Sequence, residues 1–184
     1  MANPMIIVKD KAGELDSRWC VRLNLWTQDT PKLLFFRLIS RLGDGIFWYC
    51  LMAAFPLLMG PQGFGIAAIM ILMACWGVFL YRQIKLRSMR PRPFKRYAFI
   101  TQGARTLDEF SFPSGHTMHA VAFTVLMSGI CPWMLWFLVP FTLLTGLARV
   151  VLGLHYPSDV MFGAILGAIN GVVFLELYNL LAFA

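Results

Sequence analysis

The residues of this chain best suited to chemistry fall in three short stretches. In Arg149-Val-Val-Leu-Gly-Leu-His155-Tyr-Pro-Ser-Asp159, an arginine, a histidine and an aspartate sit at the junction of two apolar runs. An aspartate within reach of a histidine can fix its tautomer and make the other ring nitrogen a better nucleophile. Arg149 ends an otherwise apolar run, where an ionisable group costs about 2.5–3.5 kcal/mol near mid-membrane and less toward an end, so it is expected to face a polar cavity. In Pro113-Ser114-Gly115-His116, the serine is placed to cap a following helix whose outward N–H groups make a ready anion site. Gly115 would let an anion approach the backbone, and His116 adds a group that gives or takes a proton near neutral pH. A capping serine and an interfacial histidine without chemistry fit the same residues.

The remaining stretch, Lys85-Leu-Arg-Ser-Met-Arg-Pro-Arg92-Pro93, presents several long cations at the end of a helix. Juxtamembrane Lys and Arg commonly snorkel to lipid head groups, and Arg82, Arg87, Lys95 and Arg96 fit that reading. Together, the three stretches could hold a tetrahedral dianion between cations and N–H dipoles while one imidazole attacks phosphorus. Such a transfer needs little beyond positioning and charge neutralisation. No carboxylate cluster suited to two metals accompanies them, which favours a covalent route with no metal and no cofactor.

The elements that must bring these stretches together are membrane helices. Of the 184 residues, 59% are hydrophobic and 14% charged, and the mean hydropathy is +0.67, a balance outside that of water-soluble domains. Apolar runs near the length that crosses about 30 Å of hydrocarbon fall at 44–60, 64–82, 115–132, 133–153 and 159–183. Lipid offers backbone groups no partners, so each is expected to be helical. The expected fold is all-α, a polytopic transmembrane helix bundle of five or six spans, forming a single membrane domain over 1–184 with its catalytic bundle at 44–183. Within 1–41, residues 18–41 mix Leu, Phe and Trp with Arg and Lys and read as amphipathic interfacial helices, or as a hidden sixth crossing. No removable signal peptide is apparent.

Five spans make the second exit, the third begin, the fourth return and the fifth begin at one membrane face. Parity alone therefore gathers the three stretches there. Seven of the 16 cations lie in residues 1–41, eight in 82–105 and one at Arg149, so the opposite loops carry none. In a chain this apolar, the net charge of +7 points to head groups or an anionic substrate rather than to nucleic acid. Gly163, Gly167 and Gly171 form a small-residue ridge that reads as helix packing. Cys20, Cys50, Cys75 and Cys131 are too scattered for a disulfide framework or a zinc site. His119 reads as bonded to a neighbouring helix or as lining the pocket, and Asp108 and Glu109 read as solvated loop charges with no assigned role.

With these motifs in order over residues 85–159, the chain resembles the type 2 phosphatidic acid phosphatase family, the lipid phosphate phosphatases related to vanadium haloperoxidases. The resemblance implies that His155 forms a phosphohistidine supported by Asp159. It implies that His116 protonates the departing alkoxide and then activates water, and that Lys85, Arg92, Ser114, Gly115 and Arg149 bind phosphate. Where the family commonly has Ser before the third-motif Arg, this chain has Ala148, which removes a hydroxyl donor.

The implied partners are bilayer lipids and a lipid phosphate: phosphatidylglycerol phosphate, phosphatidic acid, undecaprenyl diphosphate or a lipid A phosphate. A lipid-to-lipid phosphotransferase would use the same histidine, and a non-catalytic lipid or anion carrier would use the same cationic pocket. The resemblance implies a multi-pass protein of the bacterial inner membrane and leaves the oligomeric state open. Charge asymmetry places the clusters on the cytoplasmic side, whereas family analogy places them on the outer one.

Overall fold

The computed structural model describes residues 11–28 and 30–182. Its regular elements are helices, in the order α1 (Lys11–Trp26), α2 (Thr30–Arg41), α3 (Phe47–Met59), α4 (Pro61–Ser88), a single-turn α5 (Pro93–Arg96), α6 (Gly115–Ile130), α7 (Leu135–Val151) and α8 (Pro157–Ala182). The boundaries follow local chemistry. Prolines open α4, α5 and α8, where a missing N–H costs nothing. Gly60, at φ +58°, separates α3 from α4 in a backbone conformation that side chains with a Cβ resist. A wide turn over Leu42–Ile46 joins α2 to α3, and Gly45 within it has φ 134°.

Four helical stretches are long and apolar enough to cross a membrane: Pro31–Met59, Pro61–Ser88, Pro132–Val151 and Pro157–Ala182. Among the described residues this corrects the expected five or six spans. Residues 115–132 yield only the 16-residue α6, about 24 Å at 1.5 Å per residue and short of the hydrocarbon thickness. The first candidate span also begins at Pro31 rather than near 44, because α2 runs on through the turn into α3. The chain is a multi-pass membrane protein.

Shortness does not stop α6 from organising the bundle, because it packs along α8 on the predicted glycine ridge. A Cβ at Gly163 would lie 2.5 Å from Ser114 O, one at Gly167 2.3 Å from Met118 O, and one at Gly171 2.7 Å from Val125 Cβ. Between helices in lipid, such close packing replaces the hydrophobic drive that water would supply. Around this seam, Met70 and Met73 of α4, Phe123, Leu126 and Met127 of α6 and Leu138 of α7 make one core, with Trp48 of α3 stacked on Phe123 at 4.6 Å.

The N-terminal segment divides. α2 joins the first span, while α1 turns a polar stripe inward and leaves Leu15, Trp19, Leu25 and Trp26 exposed. The last carbonyls of a helix lack intrahelical donors, and α1 supplies them for α7. Asn24 Nδ2 donates to Val151 O at 3.0 Å and to Thr101 O at 2.9 Å, and Thr27 Oγ1 donates to Val151 O at 3.0 Å.

Candidate active site

Four element ends meet at one end of the bundle: the last turn of α4, the first turns of α6 and α8, and the turn 152–156 after α7. The expected gathering of the three stretches is what the geometry has. Ser114 N donates to Asp159 O at 3.0 Å, tying the α6 start to the α8 start. Arg92 Nη1 donates to Leu154 O at 2.8 Å and lies 3.3 Å from His155 Nε2. Lys85, Arg92, Gly115, His116 and His155 all line one cavity of about 210 Å³.

His155 is buried in the turn between α7 and α8, and its own N–H donates to Arg149 O at 3.0 Å. Burial first, then the charges of Arg92, Arg149, Lys85 and His116, hold its imidazole well below the ordinary histidine value. The ring is therefore neutral at pH 7. Since Arg92 donates toward Nε2, that nitrogen carries the lone pair and the ring proton belongs on Nδ1, facing Asp159. The separation there, 3.6 Å to Asp159 Oδ2, exceeds a hydrogen bond, and among the described residues Nδ1 has no bonded partner. Asp159 instead accepts from Arg90 Nη1 at 2.5 Å and from Tyr156 N at 2.8 Å.

Around the second histidine, the wide turn before α3 presents Asp44 between two glycines, and its carboxylate bonds His116 Nε2. Arg149 Nη1 lies 3.8 Å from the same carboxylate and donates to Ser40 Oγ at 2.5 Å. Against the expectation that it faces a polar cavity, Arg149 is buried outside the cavity lining and reaches the cavity only through Asp44. Ala148 packs in an apolar cluster with Phe36, Val151 and Leu154.

Ser114 caps α6, its hydroxyl engaged with Thr117 and outside the cavity lining. The space beside Gly115 holds the Tyr81 ring, 3.3 Å from where a Cβ would stand, rather than an open approach to the backbone. His119 meets both of its readings: it lines the cavity, and its Nδ1 and Nε2 lie 2.8 Å from Gly115 O and 3.2 Å from Ala74 O of α4, within reach of a hydrogen bond to either.

Asp108 departs from its expected role. It is no solvated loop charge: both carboxylate oxygens accept from Lys85 Nζ at 2.7 Å, and Oδ1 accepts from Arg92 Nη2 at 2.6 Å. Burial disfavours its charge, but Lys85 and Arg92 outweigh that and hold the carboxyl below the ordinary aspartate value. Glu109 does stay outside, exposed and paired with Lys95 at 2.9 Å.

Sequence reasoning passed over Asp16, Asp44 and Arg90. Arg90 stacks on Tyr156 at 4.0 Å and joins Asp16, at 2.6 Å, to Asp159. Glycines on both sides of Asp44 were the available signal for a shaped turn; nothing local marks Asp16. Opposite the charged end, Trp48, Met52, Val78 and Phe123 give the cavity an apolar wall between α3, α4 and α6. Among the described residues, no group of three or more His, Cys, Asp and Glu side chains is placed to hold a metal ion.

Known proteins resemble this arrangement in sequence and in fold. Undecaprenyl-diphosphatase BcrC of Bacillus subtilis is 36% identical over 105 residues, covering 57% of this chain and 54% of that protein. The chain thus spans about half the length of the relatives it matches by sequence. The crystal structure of a transmembrane PAP2-type phosphatidylglycerolphosphate phosphatase from Bacillus subtilis superposes with TM-score 0.77 at 20% identity, covering 93% of this chain and 88% of that one. That of Aquifex aeolicus LpxE also gives 0.77, at 24% identity, covering 94% and 99%. The PAP2 superfamily model matches residues 64–181, a stretch that contains His116 and His155, Lys85 and Arg92 and the glycine seam, and the chain belongs to that superfamily.

Proposed function

We propose that this chain is a lipid phosphatase of a bacterial plasma membrane that works through a phosphohistidine on His155. The observation that carries the reading is one cavity in which a neutral buried imidazole, a second histidine and two buried cations share the charged end and an apolar wall faces them. That pairing suits a phosphate carried on a hydrocarbon chain.

In the first half-reaction, the Nε2 lone pair of His155 forms a bond to phosphorus as the bond to the lipid oxygen breaks. His116, entering as the imidazolium that the Asp44 carboxylate on its Nε2 favours against burial and the Arg149 charge, gives that oxygen its proton and becomes neutral. Water then attacks the phosphohistidine, its proton passing to His116, and free imidazole and inorganic phosphate result. Lys85 and Arg92 neutralise the equatorial charge, the largest contribution the protein makes to such a transfer. Asp159, held by Arg90 and Tyr156 N, favours the imidazolium-like charge that builds as Nε2 bonds to phosphorus.

Substrate candidates are an undecaprenyl diphosphate, a phosphatidylglycerol phosphate, a phosphatidic acid and a lipid A phosphate. A panel of these, offered to purified wild type and His155→Ala without any acceptor lipid, tests the reading. Inorganic phosphate is expected from at least one lipid with wild type and from none with the variant. Full release by folded His155→Ala would contradict it.

A further inference from the structure

The cations that the proposed reaction needs for phosphate are already engaged. Lys85 has three N–H donors; both Asp108 oxygens accept from it at 2.7 Å and Phe110 O lies at 3.2 Å. Of the five N–H groups on Arg92, Nε serves Asp108 O at 3.2 Å, one on Nη2 serves Asp108 Oδ1, and the two on Nη1 face Leu154 O and His155 Nε2. In this state the lone pair meant for phosphorus is turned to a guanidinium. Asp108 presents a charge and a two-oxygen fork of the kind phosphate oxygens would present to the same donors.

We propose that Asp108 is a specificity-determining latch, whose carboxylate occupies the donors of the phosphate cradle and yields to a terminal phosphate but not to a phosphodiester headgroup. The proposal rests on the phosphatase reading for what the cradle holds. A monoester phosphate brings a charge of about −1.5 to −2 and three acceptor oxygens, so it exceeds what it displaces. A phosphodiester brings one charge and two free oxygens, equal to the carboxylate, and must compete with a group tethered at an effective concentration on the order of millimolar.

In a bilayer crowded with diesters, the latch keeps the cradle for substrate. When phosphate draws Arg92 toward itself, it also uncovers His155 Nε2, linking recognition to attack. The exposures match this division: the Lys85 and Arg92 side chains are 5% and 2% exposed, Asp108 36%. The cations are fixed and the anion is the outer, exchangeable partner. Just beyond it the loop is pinned by Ser111 N donating to Arg90 O at 2.8 Å, so the latch can open without releasing the chain behind it.

The test is binding of inorganic phosphate to the purified full chain in detergent, read by calorimetry, for wild type, Asp108→Asn, Asp108→Ala and Asp108→Glu. Closing a latch lowers apparent affinity by the open fraction. Both neutral variants are expected to bind phosphate about tenfold more tightly than wild type, and Asp108→Glu to stay near wild type. Phosphatidylglycerol, inert toward wild type, is expected to compete with phosphate in the neutral variants. Unchanged or weaker phosphate binding in folded Asp108→Asn and Asp108→Ala would overturn the latch. This measurement needs no turnover, so a failure of every lipid to release phosphate would remove the phosphatase reading while the binding pattern still decides the role of Asp108.

Discussion

Along the seam between α6 and α8, glycines bring backbone and side chain so close that a methyl group would have to displace them, and no charge is involved. At the cavity mouth, where the same helices begin, the central cluster is ionic, Lys85 and Arg92 around Asp108, and its carboxylate sits on the 97–114 loop, which has no helix of its own. The seam fixes position, and in the proposed latch the mouth keeps its partners exchangeable. A reaction that needs a nucleophile held still and an anion able to leave is served by both, and each region is vulnerable to a different kind of change.

The largest expected effect lies at the mouth. Asp159→Asn leaves the seam untouched but removes the charge facing His155 Nδ1 and the anchor of Arg90. It should lower kcat by about 10²–10⁴-fold, with KM for the lipid changed far less, measured by phosphate release from whichever panel lipid wild type hydrolyses. Next comes the seam itself. Gly167→Ala gains about 1 kcal/mol in helix propensity, but its Cβ would stand 2.3 Å from Met118 O. Overpacking costs about 1–3 kcal/mol and a backbone atom cannot rotate away, so net destabilisation is expected. A lowered unfolding temperature with KM retained in the surviving folded fraction checks it; higher stability would show that the seam is loose.

Asn24→Ala should cost about 1–3 kcal/mol by leaving the Thr101 carbonyl and N–H without their side-chain partner and Val151 O with Thr27 Oγ1 alone, read by the same thermal unfolding. The smallest effect concerns pH. The folded value of His155 lies below the unfolded value of about 6.5, so the unfolded chain binds more protons once the pH falls below that figure. Stability should decline as pH drops from about 6.5 toward the folded value, and His155→Ala should flatten part of that slope.

Much of the site was legible because its chemistry is carried by residue type at fixed spacing. Lys85 and Arg92 flank the α4 end, His116 opens α6, and His155 and Asp159 span the α8 start, so parity of the helices sufficed to gather them. The glycine ridge was legible for a similar reason, since Gly163, Gly167 and Gly171 fall on one helical face. Span count was less so, because hydropathy does not distinguish the short core helix α6 from a crossing, nor show that α2 continues into α3. Asp108, Asp44 and Arg90 were least accessible: each matters through a partner far away in sequence, and a lone carboxylate in a loop carries no mark of the cation it will meet.

The central claim is that His155 itself carries phosphorus. Wild type and His155→Ala, each incubated with a radiolabelled terminal-phosphate lipid from the panel and quenched in alkali within one turnover, test it most directly, since a phosphohistidine survives base and is lost in acid. Wild type should retain label on the histidine at 155, and the variant should retain none. Phosphate release by wild type with no label ever found on the protein, or equal label on the folded variant, would contradict the account.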